Sequence, residues 1–487
     1  MNYTAAFDLG TTSIKGILIN KDGMIKYTEE RNIHTYYPEK GQVEQDPQEW
    51  WEHFCSILKE WQKSGVAAAD ILALSFSGQM QDCIPIDVEG RPLRRALLYS
   101  DARADSEADE LSGLFSTAES NPFNGTMLPP KLLWLKRHEP ELFEKTACFL
   151  VGAKDYIIYK LTGNACTDPT TASTTGMFHL KKQSWMKKEL TTCGLPEDKL
   201  PRLYTAHDMA GGVHKEAARE CGLLSGLPVL CGSGDAGATT IGAGAAAAGQ
   251  AYVYMGTTGW IASVHPKLEN HREGIFQLLH PSKQAYIVIA PLLNAGSVLE
   301  WAAETWYGEE ADPYQKMSEE AALVNGPFPD LLFLPYLQGE RFPVQDMEAS
   351  GIFTGIKKET GRKELVRAVY EGLAFHVLQA LEQFSDGKNK ETAVPLIGGG
   401  ARNEEWCSVL ADVTNESWTI PADMDLLPCL GAAAPAFIYL GWSPDYDAYT
   451  AHVLARHEKR RYNAGDSKKY EALYTKYKML YPLSAHM

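Results

Sequence analysis

The sequence predicts an α/β protein of two domains, and three observations support this fold class. The chain has 487 residues, more than one compact core usually accommodates. Apolar runs of strand length alternate with longer segments whose apolar residues recur at helical spacing. A strand, Gly-Thr-Thr turn and strand at residues 5–19 recur at residues 251–264, although coincidence between two short turns is an alternative explanation. We therefore predict two related domains, residues 1–248 and residues 249–487.

Composition and charge narrow the function classes. Apolar residues make up 45% of the chain and charged residues 22%, which is ordinary for a globular protein. The net charge of −16 argues against a nucleic-acid partner, because an acidic surface repels phosphate backbones. It does not argue against a nucleotide, because backbone N–H groups and a metal ion can neutralise phosphates locally.

The cysteines and the apolar runs predict the compartment. The chain has nine cysteines, an odd number, and no Cys-x-x-Cys pair, which predicts reduced thiols without a disulfide frame or a zinc site. The first residues lack the basic start and apolar core of a signal peptide, and no apolar run is long enough to span a bilayer. We therefore expect a cytoplasmic protein without a membrane partner.

The first elements are three strands, a helix and a further strand. Apolar runs at Tyr3 to Phe7 and at Ser13 to Asn20 predict two strands, and a third begins at Met24 after a Lys-Asp-Gly turn. Asp46 is a natural N-cap for a helix because a proline follows it at the first helical position. Ile71 to Phe76 reads as a buried strand.

A second set of strands, glycine loops and helices follows. Leu227 to Cys231 and Ala251 to Met255 predict strands, and a helix of small residues is expected to run to about Ala248. Two longer helices are predicted, one from Arg362 to Phe384 and one starting near Asn403. Their apolar stripes indicate core packing and carry no chemistry.

The loop at residues 232–237 matches Gly-x-Gly-x-x-Gly, the fingerprint of dinucleotide binding. That fingerprint needs an acidic residue about twenty positions later to hold the ribose, and none occurs between Asp235 and Glu269. The charge of Asp235 inside the loop would also repel a pyrophosphate. We therefore reject a dinucleotide site and predict that Asp235 is a general base or a metal ligand.

The turn that starts at Asp8 has a related logic. Asp8 ends a buried strand, where a charge is costly unless a cation or hydrogen bonds compensate it. Gly10 permits a tight turn, after which N–H and hydroxyl groups can cradle phosphate oxygens. An ordinary hairpin turn with a satisfied aspartate is the alternative. The Gly-Thr-Thr turn at residues 256–258 offers the same donors, and the sequence has no P-loop motif.

Three consecutive glycines at residues 398–400 lie between a short predicted strand and the helix that starts near Asn403. Glycines let a flat base approach the backbone closely, so adenine binding is our interpretation. A simple flexible turn is the alternative.

With these motifs in place, the chain resembles the FGGY carbohydrate kinases, and within that family the xylulokinase-like branch. The resemblance rests on the Asp-Leu-Gly-Thr-Thr turn at 8–12, Gly-Asp at 234–235, Gly-Gly-Gly-Ala-Arg at 398–402 and a long signature over residues 351–371. It implies two ribonuclease-H-like domains of the actin/hexokinase superfold around a central cleft. The N-terminal domain, residues 1–248, would bind sugar and carry the base, and residues 249–487 would bind the nucleotide.

The resemblance also implies roles for individual residues, with ATP and Mg²⁺ as cofactors. Asp235 would be the catalytic base, Asp8 would position Mg²⁺ through water, and both carboxylates are candidate metal ligands. The candidate nucleotide-binding residues are Gly10, Thr11, Thr12, Ser13, Lys15, Gly256, Thr257, Thr258, Gly398, Gly399, Gly400 and Asn403. The candidate substrate-binding residues are Gln79, Met80, Gln81, Asp101, Arg103 and Asp235.

Three departures from the xylulokinase pattern concern the sugar pocket. Gln81 stands where that branch has a sugar-binding histidine, and Ala236 stands where it has an asparagine. The family's Trp-Asn-Asp-Gly-Arg becomes Tyr-Ser-Asp-Ala-Arg at residues 99–103. A site that loses specific hydrogen-bond partners changes which hydroxyls it accepts, so the substrate stays open.

We therefore expect a sugar kinase acting on a ketopentose such as xylulose. The alternatives are another acceptor, such as gluconate, another pentulose or a dihydroxyketone of the autoinducer-2 type, and an actin- or chaperone-like ATPase. A sugar acid would need a cation, for which Arg103 is the candidate, and we expect Glu340 and Arg341 to form an ion pair in a cleft loop. The expected partner is a small-molecule sugar, with no nucleic acid and no membrane, and a homodimer stays open.

Overall fold

The computed structural model divides the chain into two compact units. The first unit comprises residues 1–247, 264–287 and 426–456, and the second comprises residues 248–263, 288–425 and 457–487. The structure describes residues 2–115, 121, 123–268, 274–324, 326–328, 330–382, 393–457 and 459–484.

Strands and helices alternate along the chain, as the sequence predicted. The strands are β1 (Tyr3–Leu9), β2 (Ser13–Asn20), β3 (Ile25–Asn32), β4 (Thr35–Tyr36), β5 (Glu44–Gln45), β6 (Ile71–Gly78), β7 (Met80–Ile86), β8 (Ala96–Leu97), β9 (Cys148–Gly152), β10 (Cys166–Thr167), β11 (Phe178–His179), β12 (Ser184–Trp185), β13 (Arg202–Leu203), β14 (Met209–Gly212), β15 (Pro228–Leu230), β16 (Ser233–Gly234), β17 (Ala251–Met255), β18 (Gly259–His265), β19 (Phe276–Leu279), β20 (Tyr286–Leu292), β21 (Leu332–Leu334), β22 (Ile352–Thr354), β23 (Val394–Ile397), β24 (Trp418–Pro421) and β25 (Lys459–Tyr462).

The α-helices lie between and after these strands. They are α1 (Pro47–Lys63), α2 (Asp105–Phe115), α3 (Leu128–His138), α4 (Pro140–Lys145), α5 (Ala153–Thr162), α6 (Pro169–Ser173), α7 (Lys187–Thr192), α8 (Lys215–Cys221), α9 (Asp235–Gly242), α10 (Gly296–Tyr307), α11 (Pro313–Ala322), α12 (Arg362–Glu382), α13 (Glu404–Thr414), α14 (Leu427–Tyr439), α15 (Tyr446–His452), α16 (Lys468–Tyr477) and α17 (Leu480–Ser484). None of the described helices combines the length and apolarity that a membrane crossing requires.

The main sheet of the first unit has the order β14-β15-β6-β1-β2-β3, and β16 also pairs with β6. Strand β1 is antiparallel to β2 and parallel to β6, and β15 is parallel to β6. Every residue of β1 is buried, which explains its apolar sequence. Parallel pairing of β1 and β6 brings their carboxyl ends to one edge of the sheet, where Asp8 lies opposite Ser77.

The second unit has a sheet with the order β20-β18-β17-β23-β24-β25. Strand β17 is antiparallel to β18 and parallel to β23, and β23 is parallel to β24. The order and directions of β18-β17-β23-β24 therefore reproduce those of β2-β1-β6-β15. The repeat seen in the sequence at 5–19 and 251–264 is a repeat of the fold, so coincidence is excluded.

Helix capping places several elements where the sequence predicted them. Asp46 caps α1 by accepting from the N–H of Gln48 at 2.9 Å, and Pro47 occupies the first turn. Asn403 caps α13 by accepting from the N–H of Trp406 at 2.9 Å. Helix α12 begins at the predicted Arg362 and extends to Glu382; the predicted end at Phe384 lies outside the described residues.

Two expectations are wrong. The helix of small residues ends at Gly242 and does not reach Ala248, because Gly244 has a positive φ of 89° and turns the backbone out of the helix. The cysteines are not all reduced, since Cys55 of α1 and Cys221 of α8 form a disulfide with a Cα–Cα distance of 4.7 Å. Spacing in sequence does not reveal this pair, because 166 positions separate the two cysteines.

Candidate active site

Asp8 lies at the end of β1, as predicted, and is buried in the first unit. The hydroxyl of Ser77 on β6 donates to Asp8 Oδ1 at 2.8 Å. Burial raises the pKa of this carboxyl, while the Ser77 hydrogen bond and the charge of Lys15 act in the opposite direction. The charge of Asp8 is thus only partly compensated by the protein.

Asp235 is the first residue of α9 and directly follows β16. Pairing of β16 with β6, in which Gly234 lies opposite Gly78, brings Asp235 to the same sheet edge as Asp8. Removal from water raises the pKa of Asp235 to about 7, and the negative charge of Asp8 adds to this effect. A carboxyl with a pKa near 7 is suited to general-base work at neutral pH.

The carboxylates of Asp8 and Asp235 are candidate ligands for a divalent cation. Burial raises the pKa of Asp235 most, the negative charge of Asp8 raises it further by repulsion, and a cation near both carboxylates would relieve that repulsion. Within the described residues, no group of three or more histidine, cysteine, aspartate or glutamate side chains is arranged to hold a metal. Mg²⁺ needs no such cage, because it keeps several waters and takes one or two carboxylates together with substrate phosphates.

The turn after Asp8 is held by a backbone hydrogen bond within the turn and by the side-chain amides of two glutamines. The N–H of Gly10 donates to Ser13 O at 3.0 Å, which closes the turn. Thr11 is held at both ends: its carbonyl accepts from Gln45 Nε2 at 2.6 Å, and its hydroxyl donates to Gln79 Oε1 at 3.2 Å. Thr12 is exposed, so its hydroxyl is the one in this turn that is open to a ligand.

Two predicted nucleotide-binding residues near this turn already contact one carboxylate. The Ser13 hydroxyl donates to Glu30 Oε1 at 2.6 Å, and Lys15 Nζ lies 3.8 Å from the same oxygen. Lys15 also lies opposite Asp8 across the β1–β2 pair.

The residues from Gln79 to Gln81 have different roles: Gln79 supports the Thr11 turn, and Gln81 has a side-chain oxygen that can accept a hydrogen bond. Gln79 is 1% exposed and donates from Nε2 to Gln45 Oε1 at 2.9 Å, so it supports the turn from behind. Gln81 adopts a positive φ of 65° and donates from Nε2 to the carbonyl and hydroxyl of Thr126 at 3.0 and 2.9 Å. Its Oε1 is left as an acceptor. Met80 packs over Gly234, where an added Cβ would lie 2.1 Å from the Met80 sulfur.

Asp101 and Arg103 form a buried ion pair. Asp101 is 0% exposed, accepts from the N–H of Val43 at 2.7 Å and pairs with Arg103 Nη2 at 2.8 Å. Arg103 Nη2 also contacts Glu44 Oε1 at 2.7 Å, and its guanidinium lies 5.1 Å from the ring centre of Trp134. The charge of Arg103 is therefore matched by two carboxylates, which the sequence did not reveal.

The second unit contains a cavity of about 1040 Å³. Five of the predicted nucleotide-binding residues line it, namely Gly256, Thr257, Gly399, Gly400 and Asn403. Of the other two predicted residues there, Thr258 is exposed in the same turn. Gly398 turns the chain at a positive φ of 92°.

The glycines and Asn403 at this cavity have different structural roles. A Cβ at Gly399 would meet nothing within 4 Å, whereas one at Gly398 would lie 2.6 Å from Met255 O. Gly399 is therefore open to a ligand, and Gly398 is needed for the fold. Asn403 is engaged by the protein, because its Nδ2 donates to the Tyr370 hydroxyl at 2.6 Å in addition to capping α13.

Glu340 does not pair with the Arg341 guanidinium, so that prediction is wrong. Glu340 is fully buried and faces His376 Nε2 at 3.3 Å, and it accepts from Asn294 Nδ2 at 2.9 Å. Only the backbone N–H of Arg341 contacts it, at 2.8 Å, and the Arg341 side chain is exposed. The buried carboxylate is satisfied by side chains 36 and 46 positions away in sequence, which a local sequence pattern cannot reveal.

The sequence analysis did not identify two buried groups of charged side chains near Asp235. Lys154, Asp155 and Asp168 are each 0% exposed and form an ionic cluster. Asp82 is also 0% exposed, and burial raises its pKa well above the usual range. One signal was available, because Asp168 precedes a proline in the same capping pattern as Asp46.

Two family models match most of the chain. Residues 3–242 match the model of the N-terminal domain of the FGGY family of carbohydrate kinases, and residues 251–440 match the model of its C-terminal domain. The xylulose kinase of Bacillus subtilis is 31% identical over 99% of this chain and 97% of its own length.

Solved structures of two kinases are similar in fold. The xylulose kinase from Rhodospirillum rubrum has a TM-score of 0.89 and 26% identity, with 99% of both chains covered. The gluconate kinase from Lactobacillus acidophilus has a TM-score of 0.85 and 25% identity, with 100% of this chain and 97% of that chain covered. The likeness thus extends over the whole length but does not separate two acceptors.

Proposed function

The chain belongs to the FGGY family of carbohydrate kinases, and we propose that it transfers the γ-phosphate of Mg-ATP to a hydroxyl of a ketopentose such as xylulose. The observation that carries this proposal is the pair of carboxylates at one sheet edge of the first unit. Asp235 has a pKa raised to about 7, and Asp8 lies close enough for its charge to contribute to that shift.

In the proposed reaction, Asp235 accepts the proton of the attacking sugar hydroxyl. Its position at the start of α9 fixes the carboxylate, because Oδ1 accepts from the N–H of Ala236 at 2.7 Å. Asp8 is proposed to orient a hydrated Mg²⁺, which would neutralise charge on the transferring phosphoryl group when bound. Most of the rate enhancement should come from alignment and charge stabilisation, since phosphoryl transfer needs little covalent chemistry from the protein.

The second unit is proposed to hold the nucleotide. Its cavity of about 1040 Å³ is large enough for a nucleoside, and Gly399 leaves space for a flat group against the backbone. The Gly-Thr-Thr turn at residues 256–258 is adjacent to α10, whose Gly296 N–H donates to Gly256 O at 2.7 Å. We propose the first unit for sugar binding and catalysis, the second for ATP, and the cytoplasm for the reaction.

The charges of the first unit favour a neutral acceptor over a sugar acid. Arg103 is matched by Asp101 and Glu44, and Lys154 is matched by Asp155 and Asp168. A sugar carboxylate would have to break one of these buried pairs to gain Arg103 or Lys154, and breaking a buried pair costs several kcal/mol, roughly 3–5.

Lys131 and Gln81 of the first unit also favour a neutral acceptor. Lys131 Nζ donates to the carbonyls of Leu98 and Gln81 at 2.6 and 3.3 Å. Gln81 presents an acceptor oxygen, which suits a hydroxyl donor and not a carboxylate. A polyhydroxylated ketone satisfies acceptors of this kind.

The proposal is tested by a coupled ADP-release screen with ketoses, polyols, sugar acids and an autoinducer-2-type dihydroxyketone. We expect ADP release to depend on sugar and to be greatest with a ketopentose, with gluconate near background. Faster turnover with gluconate would contradict the neutral acceptor. Sugar-independent hydrolysis that a partner protein stimulates would favour an actin- or chaperone-like ATPase instead.

A further inference from the structure

A buried ionic cluster lies beneath the loop that carries Asp235. Lys154 Nζ contacts Asp155 Oδ1 at 2.7 Å and Asp168 Oδ1 at 3.0 Å, and all three side chains are 0% exposed. Burying three charges is costly unless each is hydrogen-bonded and paired. Apolar residues of similar size would fill the space without that cost, so the cluster calls for a role beyond packing.

Asp168 joins two elements through its two oxygens. Oδ2 accepts from the N–H groups of Thr170 and Thr171 at 2.9 and 3.3 Å, which caps α6. Oδ1 accepts from the Thr171 hydroxyl at 2.6 Å and from the N–H of Gly234 at 3.2 Å. Capping α6 needs only one of the oxygens, and the other connects the cluster to the loop before Asp235.

Gly234 is fixed by its pairing with Gly78 of β6 and by the hydrogen bond from its N–H to Asp168. It directly precedes Asp235, and a side chain at this position is excluded because a Cβ would lie 2.1 Å from Met80 Sδ and 2.8 Å from Thr171 Oγ1. Its backbone N–H is therefore the group through which another side chain can orient Asp235. This N–H belongs to the peptide that precedes Gly234, so a change in the φ or ψ of Gly234 would move Asp235 relative to it.

We propose that Asp168 is a positioning residue for Asp235. It fixes the amide of Gly234 and thereby aims the Asp235 carboxylate at the acceptor hydroxyl. Lys154, whose Nζ lies 3.0 Å from Asp168 Oδ1, holds Asp168 in place. This inference rests on the proposed function, in which Asp235 is the general base.

The variant Asp168→Ser separates positioning from capping, because serine is a good N-cap but cannot reach Gly234 and Lys154. The matched control is Asp155→Asn, which removes a charge from the same cluster without touching the Gly234 amide. We expect Asp168→Ser to lower kcat on the best acceptor from the screen by roughly 10²-fold, since small misplacements are costly in phosphoryl transfer. The KM for Mg-ATP should stay within about twofold of wild type, and Asp155→Asn should lose thermal stability while keeping kcat.

Hydrogen exchange gives a readout that does not depend on activity. In Asp168→Ser, amides of the peptide covering residues 232–236 should exchange faster than in wild type, and in Asp155→Asn they should not. If Asp168→Ser does not fold, Asp168→Thr takes its place, because threonine also caps a helix but its single hydroxyl cannot replace both oxygens of the carboxylate.

The outcomes separate this inference from the proposed function. Normal kcat in a folded Asp168 variant, or an equal loss of kcat in Asp155→Asn, would overturn the positioning role while leaving the kinase intact. A wild-type protein inert toward every acceptor, or an Asp235→Asn variant with wild-type turnover, would overturn the proposed function and this inference together.

Discussion

The two units share a strand order but differ in what stands at the strand ends. In the first unit, β1 ends with the buried Asp8 region and β16 leads into Asp235. In the second unit, the equivalent strand β17 is followed by the Gly-Thr-Thr turn at 256–258, and β23 is followed by the three glycines at 398–400. The same topology thus carries carboxylates in one unit and small residues around a cavity in the other. Fold alone does not assign the chemistry; the strand-end residues do.

The largest effect on activity is expected from removing the carboxylate of Asp235, which has no counterpart at the described strand ends of the second unit. Asp235→Asn keeps the size of the side chain but cannot accept the sugar proton, so kcat should fall by roughly 10²–10⁴-fold. A coupled ADP-release assay with the best acceptor measures this. The exposed Asp22→Asn is the control and should turn over normally. Near-normal turnover in Asp235→Asn would remove the basis for assigning catalysis to the first unit.

A second test contrasts a buried ion pair of the first unit with an exposed one of the second. Asp101→Asn leaves Arg103 with one carboxylate fewer in a buried site, and the free energy of unfolding should fall by about 3–5 kcal/mol. Asp425→Asn breaks the pair with Arg402, whose side chains are 68% and 63% exposed, and should cost under about 1 kcal/mol. Urea denaturation compares the two, and equal losses would contradict the burial argument.

The third test uses neighbouring glycines of the second unit. Gly398→Ala places a Cβ 2.6 Å from Met255 O at a φ of 92°, so the free energy of unfolding should fall by roughly 2–3 kcal/mol. Gly399→Ala meets nothing within 4 Å and should leave stability nearly unchanged. Thermal or urea denaturation decides this, and a tolerated Gly398→Ala would show that the turn does not need glycine.

Local sequence patterns predicted much of the fold. The strand-turn-strand repeat, the Asp46 cap and the Asn403 cap follow from residues adjacent in sequence, where periodicity and capping chemistry act. The strand-end aspartates were also visible, because a charge after a buried strand stands out. The contact of Arg103 with Glu44 could not be predicted, since the two residues are 59 positions apart and only tertiary packing brings them together.

Other features of the site depended on packing that no local pattern encodes. Gln79 was expected to face the sugar but supports the Thr11 turn through a side-chain contact 68 positions apart. Asp168 looks in sequence like an ordinary N-cap, and only the fold shows that its second oxygen reaches Gly234, 66 positions away. Contacts across long sequence separations thus account for most of what the sequence left open.

The smallest expected effect concerns His280, a buried histidine of the first unit. His280 is 0% exposed, contacts Ser282 through Nδ1, and has its pKa lowered to about 4 by burial. In the unfolded chain a histidine titrates near pH 6.5, so the unfolded state binds more protons and stability falls as pH drops below 6.5. In the second unit the carboxylate of Glu340 faces the buried His376 at 3.3 Å, whereas the hydroxyl and N–H of Ser282 face His280.

Between pH 7.5 and pH 5.5 this difference in protonation at His280 should remove about 1 kcal/mol of stability. His280→Asn keeps an acceptor for the Ser282 N–H and should lose that part of the acid sensitivity, as measured by urea denaturation at both pH values. The exposed His452→Asn serves as control and should behave like wild type. Unchanged acid sensitivity in His280→Asn would show that this histidine is not buried in its neutral form.

The division of work between the units is tested most directly by titrating Mg-ADP into two variants and following the heat of binding. We expect Asp235→Asn to bind Mg-ADP with an affinity within about threefold of wild type, because the proposed nucleotide cavity lies in the second unit. We expect Gly399→Ala to bind roughly tenfold more weakly, because the added methyl group enters the open side of that cavity. Normal binding by Gly399→Ala together with lost binding by Asp235→Asn would contradict the assignment of the two units.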